Sequence, residues 1–270
     1  FAAKNAEGKL GAYRLDAEMN LTPTKDAEMY GWMQNNAAIP SRKGVIAVDA
    51  ASVIYTDDKN RRYRLPKNPA YAKTGPLGIG RLCREVATER DLFNCHGTFY
   101  ELPARNAGGF SRVRPVTTHN LQVSDYCSYR GLLVLSGINP ETAGTNRHII
   151  RSADGKAALW VGAIDDIWQL GKPVGDGGPW KNTAVLKRKK SDPYLMTGYD
   201  KKTLTLNSTK PTTITAEVDI SGMGDWVVYK TFKLEADQAA SHAFPAGFGA
   251  YWIRFTSSAA TTATAQLRYR

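Results

Sequence analysis

The sequence contains only three cysteines and four histidines, and it lacks any long apolar run. Because none of Cys83, Cys95 and Cys127 lies in a CxxC pair, zinc-finger and thioredoxin-type proteins are unsupported. Cys83 and Cys95 either face each other on neighbouring strands or stay free, as buried thiols usually do. A bilayer-spanning helix needs about 20 consecutive apolar residues, so no membrane span is predicted.

Motifs for common cofactors and nucleophiles are also missing. There is no phosphate-binding GxxxxGK[ST] loop and no GxSxG elbow, and "GDGGPW" lacks the strand-to-helix context of a dinucleotide site. The four histidines, His96, His119, His148 and His242, show no close spacing that would indicate a metal site. No cofactor is therefore predicted, and a structural or catalytic divalent cation assembled by the fold is left open.

Positive charge dominates and is unevenly distributed. The formal net charge is +11, and residues 1–190, with 28 basic and 18 acidic residues, hold +10 of it. Such a field attracts an anionic partner. Nucleic acid is not predicted, because lysines and arginines alternate with acidic residues instead of forming a basic aromatic face. An acidic polysaccharide fits the pattern better.

Helical periodicity is scarce, and strand patterns fill most of the chain. The best helix candidate is "TPTKDAEMYGWMQNN", with Thr24 in an N-cap-like position. After it, short strands alternate with turn signals at about 40 to 45 residues for every four strands, which is the spacing of β-propeller blades. We predict an all-β chain whose residues 1–185 form β-propeller blades, or the C-terminal part of a propeller.

Two turn sequences support the prediction of propeller blades. "TDDKNRRY" places Thr56, Asp58, Asn60 and Tyr63 at the offsets of the Asp-box, which closes the outer hairpin of blades in sialidase-like propellers. "SADGKAALW" is similar, with irregular spacing. In such boxes the aspartate accepts turn hydrogen bonds and the aromatic residue packs between blades. The motif therefore indicates a fold and no particular chemistry.

The pattern changes after residue 192. Residues 193–270 hold seven short alternating strands, which predict a C-terminal β-sandwich, although two further blades are the alternative. Residues 1–185 would then make four blades, fewer than glycan-processing propellers usually have. A missing N-terminal segment or a partner chain would complete the propeller. The first residue, Phe1, fits a removed signal peptide or a fragment of a longer chain.

Several stretches resemble secreted β-propeller proteins of carbohydrate-degrading bacteria, in which a propeller is followed by a sandwich. They include "ERDLFNCHGTFYELPARNAGGFSRVRPVTTHN", "YRGLLVLSGI", "ALWVGAIDDIWQLGKPVGDGGPW" and "SDPYLMTGYDKK". The likeness spans most of residues 40–270 and carries over no catalytic residue. It implies the fold, a polysaccharide or oligosaccharide partner and a secreted or periplasmic location.

His96 is the first candidate catalytic residue. It precedes Gly97, so that a ligand and the backbone could approach closely beside an imidazole that serves as general base or metal ligand. Strand alternation places His96 and Tyr100 on one face if no bulge intervenes, with Glu101 on the other. The alternative is a satisfied core histidine, with Gly97 marking a bulge.

Two further stretches supply the groups that a polysaccharide lyase needs. "RVRPVTTHN" offers Arg114 and His119, and "SDYCSYRG" offers Asp125, Tyr129 and Arg130. Proton abstraction next to a uronate carboxylate requires an arginine to neutralise that carboxylate, a base and an acid. The alternative is that both arginines form cross-strand ion pairs, with Glu85, Glu89 or Asp91 as partners.

Paired carboxylates in the sequence would instead indicate a glycoside hydrolase. Asp165 and Asp166 are adjacent in "AIDDIW", so on a strand they point to opposite faces. Asp166, paired with a carboxylate from another blade, is the predicted acid or nucleophile, and a polar turn is the alternative. Trp160 and Trp168, together with Tyr129, are predicted to bind sugar rings.

The sequence thus predicts a glycan-active enzyme, either a glycoside hydrolase or a polysaccharide lyase, acting on an acidic or complex polysaccharide at the propeller mouth. The alternative is a non-catalytic propeller that binds glycan or assembles with another chain. A catalytic site should bring His96, His119 and a carboxylate or tyrosine together in one pocket. A binding module should show an aromatic platform without converging acid and base groups.

Overall fold

The computed structural model describes residues 1–4, 10–35, 45–68, 71, 82–86, 90–121 and 123–270. For residues 2–4, 10, 27, 33–35, 82–86 and 90 it describes the backbone alone. Several separate β-sheets make up most of these ranges, which confirms the all-β prediction. None of the helices found there combines the length and the hydropathy that crossing a bilayer requires.

The N-terminal part holds a three-stranded sheet, one helix and three more strands. The elements are β1 (Ala2–Lys4), β2 (Leu10–Leu15), β3 (Leu21–Thr24), α1 (Ala27–Asn35), β4 (Ile46–Val48), β5 (Val53–Thr56) and β6 (Arg62–Leu65). The helix begins two residues later than an N-cap at Thr24 predicts, because its capping side chain is Asp26, which accepts a hydrogen bond from the amide of Met29 at 2.9 Å. Thr24 instead accepts one from the amide of Asp26.

The next eight strands form two four-stranded antiparallel sheets. They are β7 (Leu82–Val86), β8 (Arg90–Cys95), β9 (Thr98–Leu102), β10 (Arg114–Thr118), β11 (Asp125–Tyr129), β12 (Leu132–Ile138), β13 (Ile149–Arg151) and β14 (Ala158–Gly162). In the first sheet, β7 to β10, each strand pairs with the next strand in sequence, which is the meander that a propeller blade requires. The second has the order β11-β12-β14-β13, so its last two strands are exchanged relative to a meander.

The remaining strands form two larger sheets together with β4 to β6. They are β15 (Gly175–Val185), β16 (Tyr194–Leu195), β17 (Lys202–Ser208), β18 (Thr212–Asp219), β19 (Trp226–Leu234), β20 (Ala240–Ala243), β21 (Trp252–Ser257) and β22 (Thr261–Tyr269). One sheet has the order β15-β22-β17-β20, and the other the order β19-β18-β21-β16-β6-β5-β4. We call this pair the C-terminal sheets.

Strand pairing crosses the predicted division at residues 185–193. β15, which the sequence assigns to the propeller part, pairs with β22 over its whole length. β6 joins β16 through a parallel contact between Arg64 and Tyr194, so that β4 to β6 extend a C-terminal sheet. Alternating hydrophobicity predicts that a segment is a strand, but it does not identify the partner strand.

The sequence of the β5–β6 hairpin resembles an Asp-box, but the aspartate that accepts its turn hydrogen bonds is not the predicted Asp58. The carboxylate of Asp57 accepts hydrogen bonds from the amides of Lys59 and Arg61. Asp58 is exposed and pairs with Arg105. In the β13–β14 turn, by contrast, Asp154 accepts hydrogen bonds from Ser152 and from the amide of Lys156, as an Asp-box aspartate would.

The sheets stack face to face, with β7 to β10 in the middle. One face of that sheet, with Phe93 and Tyr100, joins the core between the C-terminal sheets. The other face, with Leu92 and Phe99, packs against the β11–β14 sheet. The far side of the β11–β14 sheet in turn covers β1 to β3. Adjacent residues of β8 and β9 therefore serve two different cores.

Thiols do not cross-link these layers within the described side chains. The side chain of Cys95 is buried and that of Cys127 is exposed. Cys83 lies opposite Phe93 in the β7–β8 register, so the backbone does not set it against Cys95. Of the two alternatives, the one in which these cysteines face each other is therefore wrong. Burial of apolar surface, which contributes roughly 25 cal/mol per Å², holds the stack together.

Candidate functional site

His96 lies in the tight turn between β8 and β9. Its φ is +49° and that of Gly97 is +79°, as in the two-residue hairpin turns that match strand twist. The imidazole is 5% exposed, and its Nδ1 accepts a hydrogen bond from the amide of Asn68 at 3.0 Å. Burial lowers the pKa of His96. Because His96 is a turn residue, strand alternation does not continue through it to Tyr100, which lies in the core of the C-terminal sheets.

His119 is buried beside the same turn. Its Nε2 lies 3.1 Å from Oδ1 of Asn94, and its Nδ1 lies 3.0 Å from the hydroxyl of Tyr71, which itself donates to the carbonyl of Leu121. Burial lowers the pKa of His119 to about 4, so the ring is neutral at pH 7. A neutral imidazole has one N–H, so the ring can donate to only one of these two oxygens.

The two predicted histidines therefore meet in one buried polar group, which we call the histidine cluster: His96, His119, Tyr71, Asn68 and Asn94. The side-chain amide of Asn68 also donates to the carbonyl of His119 at 3.2 Å. Each of the five residues is less than one-tenth exposed. A tyrosine does join the histidines, but it is Tyr71 instead of Tyr100, and the cluster is closed to a polymeric substrate. Its evident role is to fix the chain around residue 68 against β8 to β10.

An open site lies on the β7–β10 sheet away from the β8–β9 turn. A 3-10 helix, Ile164–Leu170, packs on this sheet and leaves a shallow groove that is partly open to solvent. The groove is lined by Asp91, Leu92, Glu101, Val116, Ile164, Asp165, Ile167 and Trp168. The indole of Trp168 is 67% exposed. Most of the lining is apolar, and three carboxylates complete it.

The helix above the groove separates the two predicted aspartates. Oδ2 of Asp166 accepts a hydrogen bond from the amide of Ala163 at 2.9 Å, and its Oδ1 accepts one from Gln169. This carboxylate therefore caps the start of the helix. Asp165, one position earlier, lines the groove instead. Successive helical residues point in different directions, which explains why the two do not share a site.

Arg114 and Glu101 form an ion pair across β10 and β9 with a 2.8 Å separation. They are direct partners in the strand register, as the ion-pair alternative requires, although the predicted partners were other acids. Of those, Asp91 lines the groove, while the Glu85 side chain and Glu89 lie outside the described residues. Glu101 thus presents an arginine-paired carboxylate to the groove.

The other predicted residues lie away from the groove. Asp125 accepts a hydrogen bond from the amide of Tyr126, and Arg130 occupies the β11–β12 turn with a φ of +51°. Tyr129 packs at the edge of the β1–β3 core. Trp160 is 1% exposed and stacks on His148 with ring centroids 4.9 Å apart, so it offers no free face to a sugar. Trp168 is the predicted sugar-binding residue that the groove exposes.

A metal site does not emerge from the part of the chain that is described. There, no three side chains of histidine, cysteine, aspartate or glutamate converge in a way that could hold an ion. The groove residues Leu92 and Glu101 share a sheet face with Asn94 and Phe99, which contact His119, but they lie farther from the β8–β9 turn than the histidine cluster does. The chemistry open to the groove is therefore stacking on the indole and hydrogen bonding to the carboxylates.

Comparisons with known proteins leave the family open. No family model and no curated protein sequence matches the chain. Among solved structures, an exo-β-1,3-galactanase from Phanerochaete chrysosporium aligns at 11% identity and a TM-score of 0.21, covering 83% of this chain and 67% of the galactanase. An α-xylosidase from Xanthomonas citri aligns at 8% identity and a TM-score of 0.15, covering 87% and 36%. Scores this low carry no argument about fold or function.

Proposed function

We propose that this chain binds a glycan in the groove, with one sugar ring stacked on Trp168. The proposal depends on one observation, an indole that is two-thirds exposed at a groove with an apolar lining and three carboxylates. Small-ligand sites combine an apolar lining with a few polar groups. Tryptophan at such a site offers a large rigid apolar face, which matches the C–H face of a pyranose ring.

The charge of the groove favours a neutral sugar. Three of its lining residues, Asp91, Glu101 and Asp165, are acidic, and Arg114 beside them is already paired. Carboxylates accept hydrogen bonds from sugar hydroxyls but repel the carboxylates of a polyuronate. The net charge of +11 predicted an acidic polysaccharide, yet the field at contact distance is set by the neighbouring groups.

Binding without catalysis is the form that the geometry supports best. His96 and His119 are buried in the histidine cluster, and Arg114 neutralises Glu101. The set proposed for a lyase therefore does not meet at one open site. A hydrolase is the second candidate, because Glu101 from β9 and Asp165 from the helix line the same groove. Glycosidases use two carboxyls about 5 to 9.5 Å apart.

The proposal also includes the arrangement of the sheets as propeller blades followed by a β-sandwich. The β7–β10 meander packs face to face on the β11–β14 sheet, as neighbouring propeller blades do. The C-terminal sheets enclose one core, as in a β-sandwich. A further segment or a partner chain would complete the propeller. A secreted or periplasmic location follows from a polysaccharide ligand, which occurs outside the cytoplasm.

Gel retardation on a panel of polysaccharides tests this proposal. Wild type should be slowed by at least one neutral glycan, such as a galactan, xylan or β-glucan, and much less by pectin or alginate. Reducing ends are measured on the same samples. Their release by wild type but not by Glu101→Gln would establish the hydrolase instead of the binding module. If no neutral glycan retards the protein, the proposed function is wrong.

A further inference from the structure

Negative charge is concentrated at the groove of an otherwise basic protein. The eight described residues that line it include three acids, Asp91, Glu101 and Asp165, and no lysine, arginine or histidine. Arg114 pairs with Glu101 at 2.8 Å and offsets one of these charges. Asp166 adds a further carboxylate at the start of the helix above the groove. The formal net charge of the whole chain is +11, so the groove is a local acidic site.

The nearby carboxylates set the electric field inside the groove. At physiological ionic strength the Debye length is about 8 Å, so exposed basic residues farther away are largely screened. The lining also contains buried apolar side chains, among them Leu92 at 3% exposure and Ile167 at 1%. An apolar wall lowers the local dielectric constant and strengthens the attraction between each carboxylate and a cation. A positively charged group on a ligand is therefore stabilised there.

The indole of Trp168 favours the same kind of ligand. It is 67% exposed and lines the groove. The face of an indole attracts a cation that lies within about 6 Å of the ring centre, and the same face offers apolar area on which a sugar ring can pack. A sugar that carries its own cation uses both properties at once. Stacking and ionic attraction therefore indicate one class of ligand.

The carboxylates are not arranged to chelate a metal ion. Among the side chains that the structure describes, no three of histidine, cysteine, aspartate and glutamate converge to hold one. The groove acids come from separate elements, with Glu101 on β9 and Asp165 in the 3-10 helix. Each carboxylate can accept hydrogen bonds from a different ammonium or hydroxyl group of a ligand. An extended ligand with several such groups matches this arrangement better than a single ion does.

We propose that the groove selects amino sugars, whose free ammonium groups pair with its carboxylates while one ring stacks on Trp168. This inference rests on the proposed function, since it takes the ligand to be a glycan, and it names the class of glycan. An ammonium group donates charge-assisted hydrogen bonds, which are about twice as strong as neutral ones. An N-acetylated sugar or a plain hexose lacks that charge and therefore binds more weakly. Uronates are repelled by the same carboxylates.

Three tetrasaccharides with the same linkage test this selection by isothermal titration. They are the β-1,4-linked tetramers of glucosamine, N-acetylglucosamine and glucose. At pH 6.5 the sugar amine is protonated, because it resembles an α-amino group, whose pKa is about 7.7–8.0. The glucosamine tetramer should bind about tenfold more tightly than either neutral tetramer. Raising the pH to 9 deprotonates the amine and should remove most of this difference.

Two double variants with equal changes in charge locate the ionic contact. Asp91→Asn/Asp165→Asn leaves the ion pair of the groove intact and should reduce the preference for the glucosamine tetramer to about twofold or less. The neutral tetramers should bind nearly as before, because an amide oxygen still accepts hydrogen bonds from hydroxyls. Asp58→Asn/Glu141→Gln, at exposed positions outside the groove, should keep the wild-type preference. Equal losses in the two variants would place the contact elsewhere on the surface and contradict the inference.

The ligands themselves supply the remaining outcomes. A neutral tetramer that binds as tightly as the glucosamine tetramer would overturn the selection and leave the glycan proposal intact. Tetralysine, which has as many ammonium groups but no sugar ring, should bind more weakly than the glucosamine tetramer. Equally tight binding of tetralysine would mean that the groove recognises cationic chains instead of amino sugars. If no tetrasaccharide binds, the selection is wrong, and retardation by neutral polysaccharides decides the proposed function separately.

Discussion

Acidification should destabilise this protein through His119. The group is neutral and buried in the native state, where its pKa is lowered from 6.5 to about 4. Unfolding returns the pKa to the ordinary value, so the unfolded chain binds the additional proton between these two pH values. Native stability is therefore complete above pH 6.5 and is lost as the pH falls toward 4.

The size of this stability loss follows from the pKa shift of His119. One pKa unit corresponds to about 1.4 kcal/mol, so His119 alone accounts for a loss on the order of 3 kcal/mol across that range. Because the ring is 2% exposed, solvent screening does little to reduce this figure. His96, whose pKa burial also lowers, acts in the same direction. Total stabilities are about 5–15 kcal/mol, so the effect is large.

Urea unfolding at pH 7.0, 5.5 and 4.5, followed by tryptophan fluorescence, measures the effect. Carboxylates titrate in the same range, so the slope of stability against pH must be compared between variants. His119→Gln should be less stable at pH 7 but should have a flatter slope, by up to about 1.4 kcal/mol per pH unit. His242→Gln, at a far more accessible histidine whose pKa burial also lowers, is the matched control and should flatten the slope less than His119→Gln does. Equal slopes for His119→Gln and wild type would refute the reasoning.

Two further substitutions test the scaffold. Gly97→Ala should cost more than 2 kcal/mol, because φ is +79° and the new Cβ would lie 2.3 Å from the ring of Tyr71. The control Gly131→Ala, at a φ of +78° with nothing within 4 Å, should cost about 1 kcal/mol; equal melting temperatures would contradict the packing argument. Arg64→Met should cost about 2 kcal/mol, because Asp49 loses its ion pair while Asp192 keeps only Arg62. Arg105→Met, at an exposed pair, should change the urea midpoint little.

Local patterns in the sequence predicted the strands well. Residues in β18 and β22 alternate between buried and less buried positions, as the alternation of apolar and polar types requires. The turn at Gly155 has the positive φ that an Asp-Gly hairpin signal indicates. These features depend on neighbours in the chain, which the sequence displays directly.

Contacts between residues that are distant in sequence were not predicted. Tyr71 meets His119 across 48 residues, and β6 meets β16 across about 130 residues, with no motif at either end. Nothing in "LPKNPAY" marks Asn68 and Tyr71 as the residues that would close over two histidines. Pairing of this kind is decided by the packing of whole sheets, which a single sequence does not specify.

The groove was predicted in part. Trp168 and the aspartate pair were recognised from residue type, but the sequence favoured Asp166, whereas Asp165 lines the groove. The choice depended on reading "AIDDIWQL" as a strand end or turn, whereas it forms a 3-10 helix that redirects both side chains. Glu101 was set apart from His96 by alternation alone, and the fold places His96 in the buried β8–β9 turn and Glu101 in the groove.

Isothermal titration with the most strongly bound neutral glycan tests the central claim most directly. Trp168→Ala should weaken binding by about 30-fold or more, as the loss of a buried aromatic anchor does. Trp32→Ala is the matched control, since Trp32 is 66% exposed on α1 and does not line the groove. It should bind like wild type. If Trp168→Ala binds the glycan as tightly as Trp32→Ala does, the groove is not the glycan site.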